Sequence, residues 1–428
     1  MRHFDLPNGL SVTELPTGSR SVTVAVVIRS GSRDDPKLFV TPRRPIHLQG
    51  NHHFAEHFML RATKLHPAPE LVADYLDGIC ANYNAYTDKS TIVFAAQTDR
   101  RHVRAVIAFL AEAIRWPLFT KESVDAERRR IRNEIRECLD DPSERAQLDL
   151  DYHMFPRSGL SHPVLGTEQS IEWITADRMR SFTRRVYVGK RMGLVIVGGF
   201  NPALVDPVVH DRFGPIRDGT KIAEHEMDYR ALRGGLHLLH DDTQQLHCII
   251  GWPTPGINDP RRIALGLLRN HLSHRTGSRL KNRLDSVGHG YSLSDLYWCY
   301  SDIGSYHIYF PLAVEHLLDA LQNFAEEMNR VSHDLMPADK FIISLRNMSI
   351  DARTRFGNDW EAAIFAAQQM ANAGAYKPID AYLRELHRLN RSQIRQVAQE
   401  LVPQRMTIII RGKVSGLRRT KIRHSLRY

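Results

Sequence analysis

The residues with the clearest chemical potential are His53, Glu56 and His57, which stand in the segment His-Phe-Ala-Glu-His. On a helix, positions i and i+4 lie on one face, so both imidazoles can direct a ring nitrogen at one metal ion. Glu56 then lies beside that ion, where a carboxylate can take a proton from metal-bound water, whose pKa Zn²⁺ lowers to about 7. His52 points to a different side of the helix and is not expected to be a ligand. The spacing therefore predicts a hydrolytic zinc site.

A catalytic zinc usually takes three protein ligands, and this segment supplies two. Glu127 and Glu134 lie seven residues apart in a segment of helical period, so they share one face. Because arginines occupy most other directions of that helix, an ordinary charged surface helix explains the same pattern. Both interpretations stay open on periodicity alone.

Composition places the chain among globular proteins. It has 428 residues, 58 Lys+Arg against 48 Asp+Glu, a formal charge of +10 and 42% hydrophobic residues. A chain of this length buries enough surface to fold without disulfides, and its four cysteines form no C-x-x-C pair. No apolar run of about 18 residues and no secretory leader is visible. We expect a soluble, cytoplasmic protein with no membrane partner.

Four sequence patterns recur in the same order, which indicates an internal duplication. The strand-like runs RMGLVIVG and RMTIIIRG lie 214 residues apart, and Asp77 and Asp285 lie 208 apart. Each half opens with strands, continues through helices and closes on a strand. This predicts an α+β fold of two homologous halves, each an antiparallel sheet flanked by helices, which form a clam-like unit. The expected boundaries are 1–216, a linker at 217–233, and 234–428.

Several ordered segments resemble one family over nearly the whole chain. Glu127 and Glu134 follow His57 by 70 and 77 residues, a spacing that characterises that family. The other matching segments are Leu6-Pro7-Asn8-Gly9-Leu10, Gly31-Ser32-Arg33-Asp34-Asp35, Gly50 before the metal motif, Asn84-Ala85-Tyr86-Thr87, Asp141-Pro142 and His162-Pro163-Val164-Leu165-Gly166-Thr167. The chain is similar to the pitrilysin/insulinase zinc peptidases, and within them to the short bacterial branch that resembles mitochondrial processing peptidases.

The resemblance implies roles for residues of the first half. His53, His57 and Glu134 would bind one Zn²⁺ per chain, and Glu56 would be the catalytic base. Glu127 would orient a zinc ligand without touching the metal.

An edge strand is also implied by the resemblance. Asn84 and Ala85 would lie on it and pair with the backbone of an extended peptide, which adds to the sheet as a further strand. Without the resemblance, a plain turn-to-strand junction is the favoured explanation of these two residues.

The second half departs from the family at one position. Members often carry an arginine and a tyrosine, seven residues apart, which hold the substrate carbonyl and stabilise the oxyanion. Tyr291 fits the tyrosine and Gly288 the glycine before it, but Leu284 stands at the arginine position and Arg283 lies one residue earlier. Three explanations stay open: a local bulge shifts Arg283 into place, the element is degenerate in this chain, or a partner subunit supplies the arginine.

The expected activity is that of a zinc-dependent metalloendopeptidase acting on extended peptides. A dimer is expected, either a homodimer or a heterodimer with a zinc-less family subunit. The alternatives are a non-catalytic scaffold or assembly subunit, and a catalytic subunit that is active only with a partner, for example in leader-peptide removal. No nucleic-acid partner is expected, because the basic C-terminal tail is accompanied by no recognition motif.

Overall fold

The computed structural model describes residues 1–41, 44–286 and 292–426, which divide into two compact units. The first comprises Met1–Glu137, Ser158–Glu224 and Thr354–Lys377, and the second comprises Cys138–Arg157, His225–Arg353 and Pro378–Tyr428. The main boundary, between Glu224 and His225, lies inside the segment predicted as a linker. Each unit also contains a segment from the other half of the sequence, which the sequence analysis did not anticipate.

The strands are four to ten residues long, and buried ones such as Ser21–Ile28, Met192–Gly198 and Thr407–Gly412 are rich in β-branched residues. They are β1 (Arg2–Asp5), β2 (Ser11–Pro16), β3 (Ser21–Ile28), β4 (Lys37–Thr41), β5 (Arg44–His47), β6 (Cys80–Thr87), β7 (Ile92–Asp99), β8 (Met192–Gly198), β9 (Leu236–His240), β10 (Leu246–Pro255), β11 (Ser294–Cys299), β12 (Ile303–Leu312) and β13 (Thr407–Gly412).

The helices range from one turn to twenty residues. They are α1 (Asn51–Met59), α2 (Pro69–Ile79), α3 (Val103–Arg115), α4 (Lys121–Asp140), α5 (Pro142–Met154), α6 (Glu168–Ile171), α7 (Ala176–Val186), α8 (Pro202–Phe213), α9 (Arg261–Arg269), α10 (Arg279–Ser286), α11 (Leu317–His333), α12 (Ala338–Phe356), α13 (Asp359–Asn372), α14 (Ile379–His387), α15 (Arg391–Glu400) and α16 (Arg419–Ser425).

The two units are built around sheets with the same strand order. The first sheet runs β1-β2-β8-β3-β7-β6, and the second runs β9-β13-β10-β12-β11. The first sheet has β1 as an additional edge strand, and the other five strands correspond one to one. Each sheet has one parallel neighbour pair, β2 with β8 and β9 with β13, while the other neighbours are antiparallel. The prediction of an α+β fold with two sheets flanked by helices is confirmed.

Helix α13 covers one face of the first sheet, although it comes from the second half of the sequence. It packs on β3 and β8. The cluster between helix and sheet combines small residues, such as Ala363, Ala366 and Ala25, with the larger Trp360 and Met370 near the two ends of the helix. The alanines allow the middle of the helix to lie close to the sheet.

The reciprocal segment is α5, which comes from the first half and packs on β10 and β13 of the second sheet. Its attachment is partly ionic. Arg411 on β13 donates to Asp149 at 2.8 and 2.6 Å and to Asp241 at 3.2 Å, and Arg145 of α5 lies 2.9 Å from Asp241. Two arginines and two aspartates therefore join α5 to the sheet on which it lies.

No helix among the described residues is long and apolar enough to cross a bilayer.

Two carboxyl groups, the buried Glu14 and the partly exposed Asp206, join β2 to α8. Glu14 is fully buried, and Arg2 donates to Glu14 Oε2 and to Asp206 Oδ2, each at 2.8 Å. Burial first, and then the carboxyl of Asp206, raise the pKa of Glu14 from 4.5 to about 7. The folded state therefore keeps a proton on Glu14 over a pH range in which the unfolded chain has released it.

This carboxyl pair should make stability pH-dependent. Between about pH 4.5 and 7 the folded state binds more protons than the unfolded state, so the free energy of unfolding falls as pH rises through that window. We expect Glu14→Gln to remove up to about 3 kcal/mol of that fall. Chemical denaturation of both proteins at pH 5 and pH 8 measures it. Equal pH dependence in the two proteins would contradict this account.

Candidate metal centre

Helix α1 has an apolar side and a polar side, and burial of the apolar side directs the histidines and the glutamate of the motif away from the core. Phe54 and Phe58 are buried in the core of the first unit. The other side carries the two histidines and the glutamate of the motif. The helix begins directly after Gly50, whose φ of +84° is in the left-handed region and whose Cβ would lie 2.4 Å from the Leu165 carbonyl oxygen. Glycine is therefore required where the chain turns into α1.

Three potential ligand atoms converge between α1 and α4. The Nε2 atoms of His53 and His57 lie 3.1 Å apart, and each lies 3.7 Å from Glu134 Oε2. Around a tetrahedral Zn²⁺ with bonds near 2.0–2.1 Å, two ligand atoms are about 3.3 Å apart. The histidine pair matches that separation, and the Glu134 carboxylate is a few tenths of an ångström further away. Two histidines, a carboxylate and an open fourth position are a donor set of catalytic zinc sites.

Glu127 contacts the outer nitrogen of one of these histidines. Its Oε1 lies 2.6 Å from Nδ1 of His57, and its side chain is almost fully buried. Arg61 and Arg130 lie 3.4 and 3.7 Å from its other oxygen. A carboxylate behind a histidine fixes the ring so that Nε2 faces the metal position.

The two histidines differ in their electrostatic surroundings. Burial, and then the charge of His57, lower the pKa of His53 to about 3, so His53 is neutral near pH 7. Burial also acts to lower the pKa of His57, but the hydrogen bond to Glu127 and the charges of Glu56 and Glu134 outweigh it and raise that pKa. Metal binding needs both rings free of a proton on Nε2.

Glu56 has a hydrogen-bond partner that the sequence analysis did not assign. Thr87, the last residue of β6, donates its hydroxyl to Glu56 Oε2 at 2.6 Å. Burial raises the pKa of Glu56, and the Thr87 hydrogen bond and the charge of His57 oppose that rise. The buried Tyr187 hydroxyl has no hydrogen-bond partner among the described residues, and its pKa is raised by burial and by the charge of Glu56. In the sequence, Thr87 belongs to one of the segments that resemble the family, and no motif marks Tyr187.

Strand β6 is the edge strand of the first sheet, where the sequence analysis places Asn84 and Ala85. They pair with Ala95 and Phe94 of β7, and nothing in the described sheet pairs with the opposite edge. The N–H of Ala85 donates to Oδ1 of Asn84 at 2.9 Å, so the asparagine side chain covers one backbone donor.

The predicted oxyanion residues belong to the second half. Arg283 lies on α10 and pairs with Glu326 of α11. Tyr291 and Gly288 lie outside the described residues. The roles of Arg283 and Tyr291 therefore stay predictions.

His52, judged not to be a ligand, is fully buried and bonded to Asp35 and Ser30. In the sequence, Asp35 belongs to one of the segments that resemble the family, but no motif marks Ser30.

Comparisons with known proteins give one consistent result. A family model described as "Insulinase (Peptidase family M16)" matches residues 11–168, and one described as "Peptidase M16 inactive domain" matches residues 174–347. The chain is also similar to an uncharacterized zinc protease of Streptomyces coelicolor, with 25% identity over 432 residues that cover 99% of this chain and 92% of the relative.

Solved structures show the same fold. An M16-like peptidase of Alicyclobacillus acidocaldarius has a TM-score of 0.82 and 19% identity, over 96% of this chain and 97% of that one. A structure from Pseudomonas fluorescens, described as a peptidase M16 inactive domain, has a TM-score of 0.86 and 14% identity, over 96% and 98%.

The Glu127–His57 contact leads to a test of metal affinity. We expect Glu127→Ala to weaken Zn²⁺ binding about 10–100-fold, because the His57 ring loses the carboxylate that orients it. Competition with a chromophoric chelator measures the affinity. Glu137→Ala, an exposed position on the same helix, is the control and should bind zinc like the unmodified chain. Equal affinity in Glu127→Ala would contradict an orienting role.

Proposed function

Because the chain belongs to the insulinase-type M16 peptidase family, we propose that it is a zinc-dependent metalloendopeptidase that hydrolyses peptide bonds of extended peptides. The observation that carries this proposal is the convergence of His53, His57 and Glu134 with Glu56 beside them. The relative from Streptomyces coelicolor is named a zinc protease, which supports the same chemistry.

His53, His57 and Glu134 would hold one Zn²⁺ per chain. When bound, zinc acidifies a water molecule and polarises a carbonyl oxygen of the substrate. Glu127 keeps the His57 ring in the orientation that ligation needs. The described residues of the second half contain no comparable group of three ligands. A second half that binds substrate or supports the structure fits this arrangement.

Glu56 would be the base. Its raised pKa brings it closer to neutrality, where a carboxylate accepts a proton more readily from the attacking water. Thr87 holds Oε2, so Oε1 is the oxygen left to face the reacting groups. The proton then passes from Glu56 to the leaving amine as the peptide bond breaks.

The open edge of β6 would bind the substrate backbone. An extended peptide that pairs there is recognised through main-chain hydrogen bonds, with little demand on its sequence. The side chain of Asn84 must then release the N–H of Ala85 to the incoming carbonyl. Arg283 and Tyr291 would stabilise the oxyanion, or a partner subunit would supply the arginine.

A dimeric state belongs to the proposal, as a homodimer or as a heterodimer with a zinc-less family subunit. A non-catalytic subunit is the second candidate, because a structural neighbour is described as an inactive domain. The intact ligand set in this chain favours catalysis.

Replacing the proposed base should separate metal binding from turnover. We expect Glu56→Gln to retain zinc and lose about 10²–10⁴-fold in kcat, because glutamine cannot accept the proton. His53→Ala and Glu134→Ala should instead lose the metal. Zinc content by atomic emission and cleavage of a quenched-fluorescent peptide library give the two readouts.

Glu70→Gln, an exposed position on α2, is the control and should leave both unchanged. A fully active Glu56→Gln protein would contradict the mechanism. If the unmodified chain binds zinc but cleaves peptides only after mixing with a second family subunit, the heterodimer is supported.

Strand pairing predicts sensitivity to backbone methylation. Once a cleaved peptide is known, N-methylation of two residues whose N–H groups face β6 removes two hydrogen bonds of about 0.5–1.5 kcal/mol each. We expect KM to rise about 5–150-fold. A peptide methylated one residue further along directs its methyl groups away from β6 and serves as the control. Equal KM values for the two peptides would contradict pairing at this edge.

A further inference from the structure

The beginning of α1 is held by a carboxylate from another part of the chain. Gly50 precedes the helix and has no side chain to cap it. Asp35 provides the cap: Oδ2 accepts the N–H of Gly50 at 2.7 Å, and Oδ1 accepts the N–H of His52 at 3.0 Å. The Asp35 side chain is fully buried. A negative charge at a helix N-terminus is favourable, and burial strengthens the interaction.

His52 continues this contact into the sheet. Its Nδ1 lies 2.7 Å from Asp35 Oδ1, and its Nε2 lies 2.7 Å from Ser30 Oγ. Because a carboxylate only accepts hydrogen bonds, Nδ1 carries the hydrogen that faces Asp35. Ser30 comes two residues after β3 ends, and Phe182 packs edge-on against the imidazole at 4.8 Å. Both nitrogens of a fully buried ring are thus fixed between the helix cap and the sheet.

His53, the neighbouring residue, has no comparable support of its own. Its Nδ1 is buried and has no hydrogen-bond partner among the described residues. His57, in contrast, is held directly by Glu127 at 2.6 Å. Most metal-binding histidines donate their second nitrogen to a carboxylate, a carbonyl or water. The orientation of His53 therefore depends on the placement of the helix that carries it.

The position of the His53 ligand nitrogen therefore depends on the rotation of α1 about its own axis. Side-chain ends lie roughly 5–6 Å from a helix axis, so a rotation of about 10° moves a ligand nitrogen by about 1 Å. Errors of that size are large for a metal site, where supporting groups must hold ligands to about 0.5 Å.

We propose that Asp35, His52 and Ser30 are positioning residues that set the rotation of α1 and so direct Nε2 of His53 at the metal. The proposal rests on the proposed zinc function. None of the three touches the metal position; they act through the backbone of α1 and through the ring next to His53.

Binding of Co²⁺ tests the proposal without requiring activity, because the visible spectrum of Co²⁺ reports its coordination geometry. We expect His52→Ala to weaken Co²⁺ binding about tenfold and to change the intensity and position of its visible bands. His52→Asn keeps a donor for Asp35 and should recover part of the affinity. Ser30→Ala removes the hydroxyl that contacts His52, together with its longer bond to Asp34 at 3.3 Å, and should produce a smaller change of the same kind.

His307→Leu is the matched control, since His307 is an equally buried histidine of the second unit. Thermal unfolding of each protein shows whether a change in Co²⁺ binding comes from a displaced ligand or from lower overall stability. If His52→Ala folds, melts at a lower temperature and binds Co²⁺ with unchanged affinity and spectrum, the residues are only structural and the proposal is wrong. Should His52→Ala fail to fold, Ser30→Ala decides by the same two readouts.

The wild-type chain distinguishes this proposal from the proposed function. Binding of Co²⁺ without any peptidase activity would contradict the enzymatic proposal and leave the comparison of variants valid. A wild-type chain that binds no Co²⁺ would contradict both.

Discussion

The site depends on one hydrogen bond, between the buried carboxylate of Glu127 on α4 and His57 of α1. Its partners are 70 residues apart in sequence, and it holds Nδ1 of the His57 ring, so that Nε2 faces His53 and Glu134. A buried carboxylate is costly unless it is paired, and Glu127 is paired by the imidazole and by Arg61 and Arg130. Helix α1 is therefore held both by its apolar contacts with the core and by the hydrogen bond between His57 and Glu127.

Sequence reasoning identified the residues whose geometry is local. His53, Glu56 and His57 follow from helical spacing, because four residues make about one turn. Glu134 could not be separated from a charged surface helix by periodicity alone, and only the family resemblance singled it out. Thr87 joins Glu56 across 31 residues, and no local pattern marks such a contact.

The fold likewise has features that the sequence indicates and features that it does not. Strands β8 and β13 are continuous β-branched runs at corresponding positions of the two halves, so an α+β fold with two related sheets could be inferred. The placement of α5 and α13 could not. An amphipathic helix specifies that one face is buried, whereas the sheet that covers this face is chosen by tertiary packing. Glu14 was missed for a related reason, since a carboxylate in a strand is expected to face water.

The net charge of the chain differs in sign from the charge of the carboxylates at the candidate metal site. The net charge is +10, yet Glu56, Glu127 and Glu134 cluster around two histidines. Burial, with a smaller contribution from Glu134, raises the pKa of Glu56, and the three carboxylates together raise the pKa of His57 against the effect of burial. A divalent cation would offset the charge of this cluster. Basic residues elsewhere affect solubility and association more than the chemistry of the site.

Helix α13 packs on the first sheet although it comes from the second half of the sequence, and this affects the order of folding during synthesis. The first sheet is fully synthesised once β8 ends at Gly198, but the helix that covers its Ala25 face ends at Asn372. At about 5–20 residues per second, a ribosome needs roughly 10–35 s to make the intervening chain. During that interval an apolar surface of the nascent sheet has no cover. Transiently exposed apolar surface makes a folding intermediate prone to aggregation, so slower synthesis of the second half would lengthen the period in which the first sheet is vulnerable.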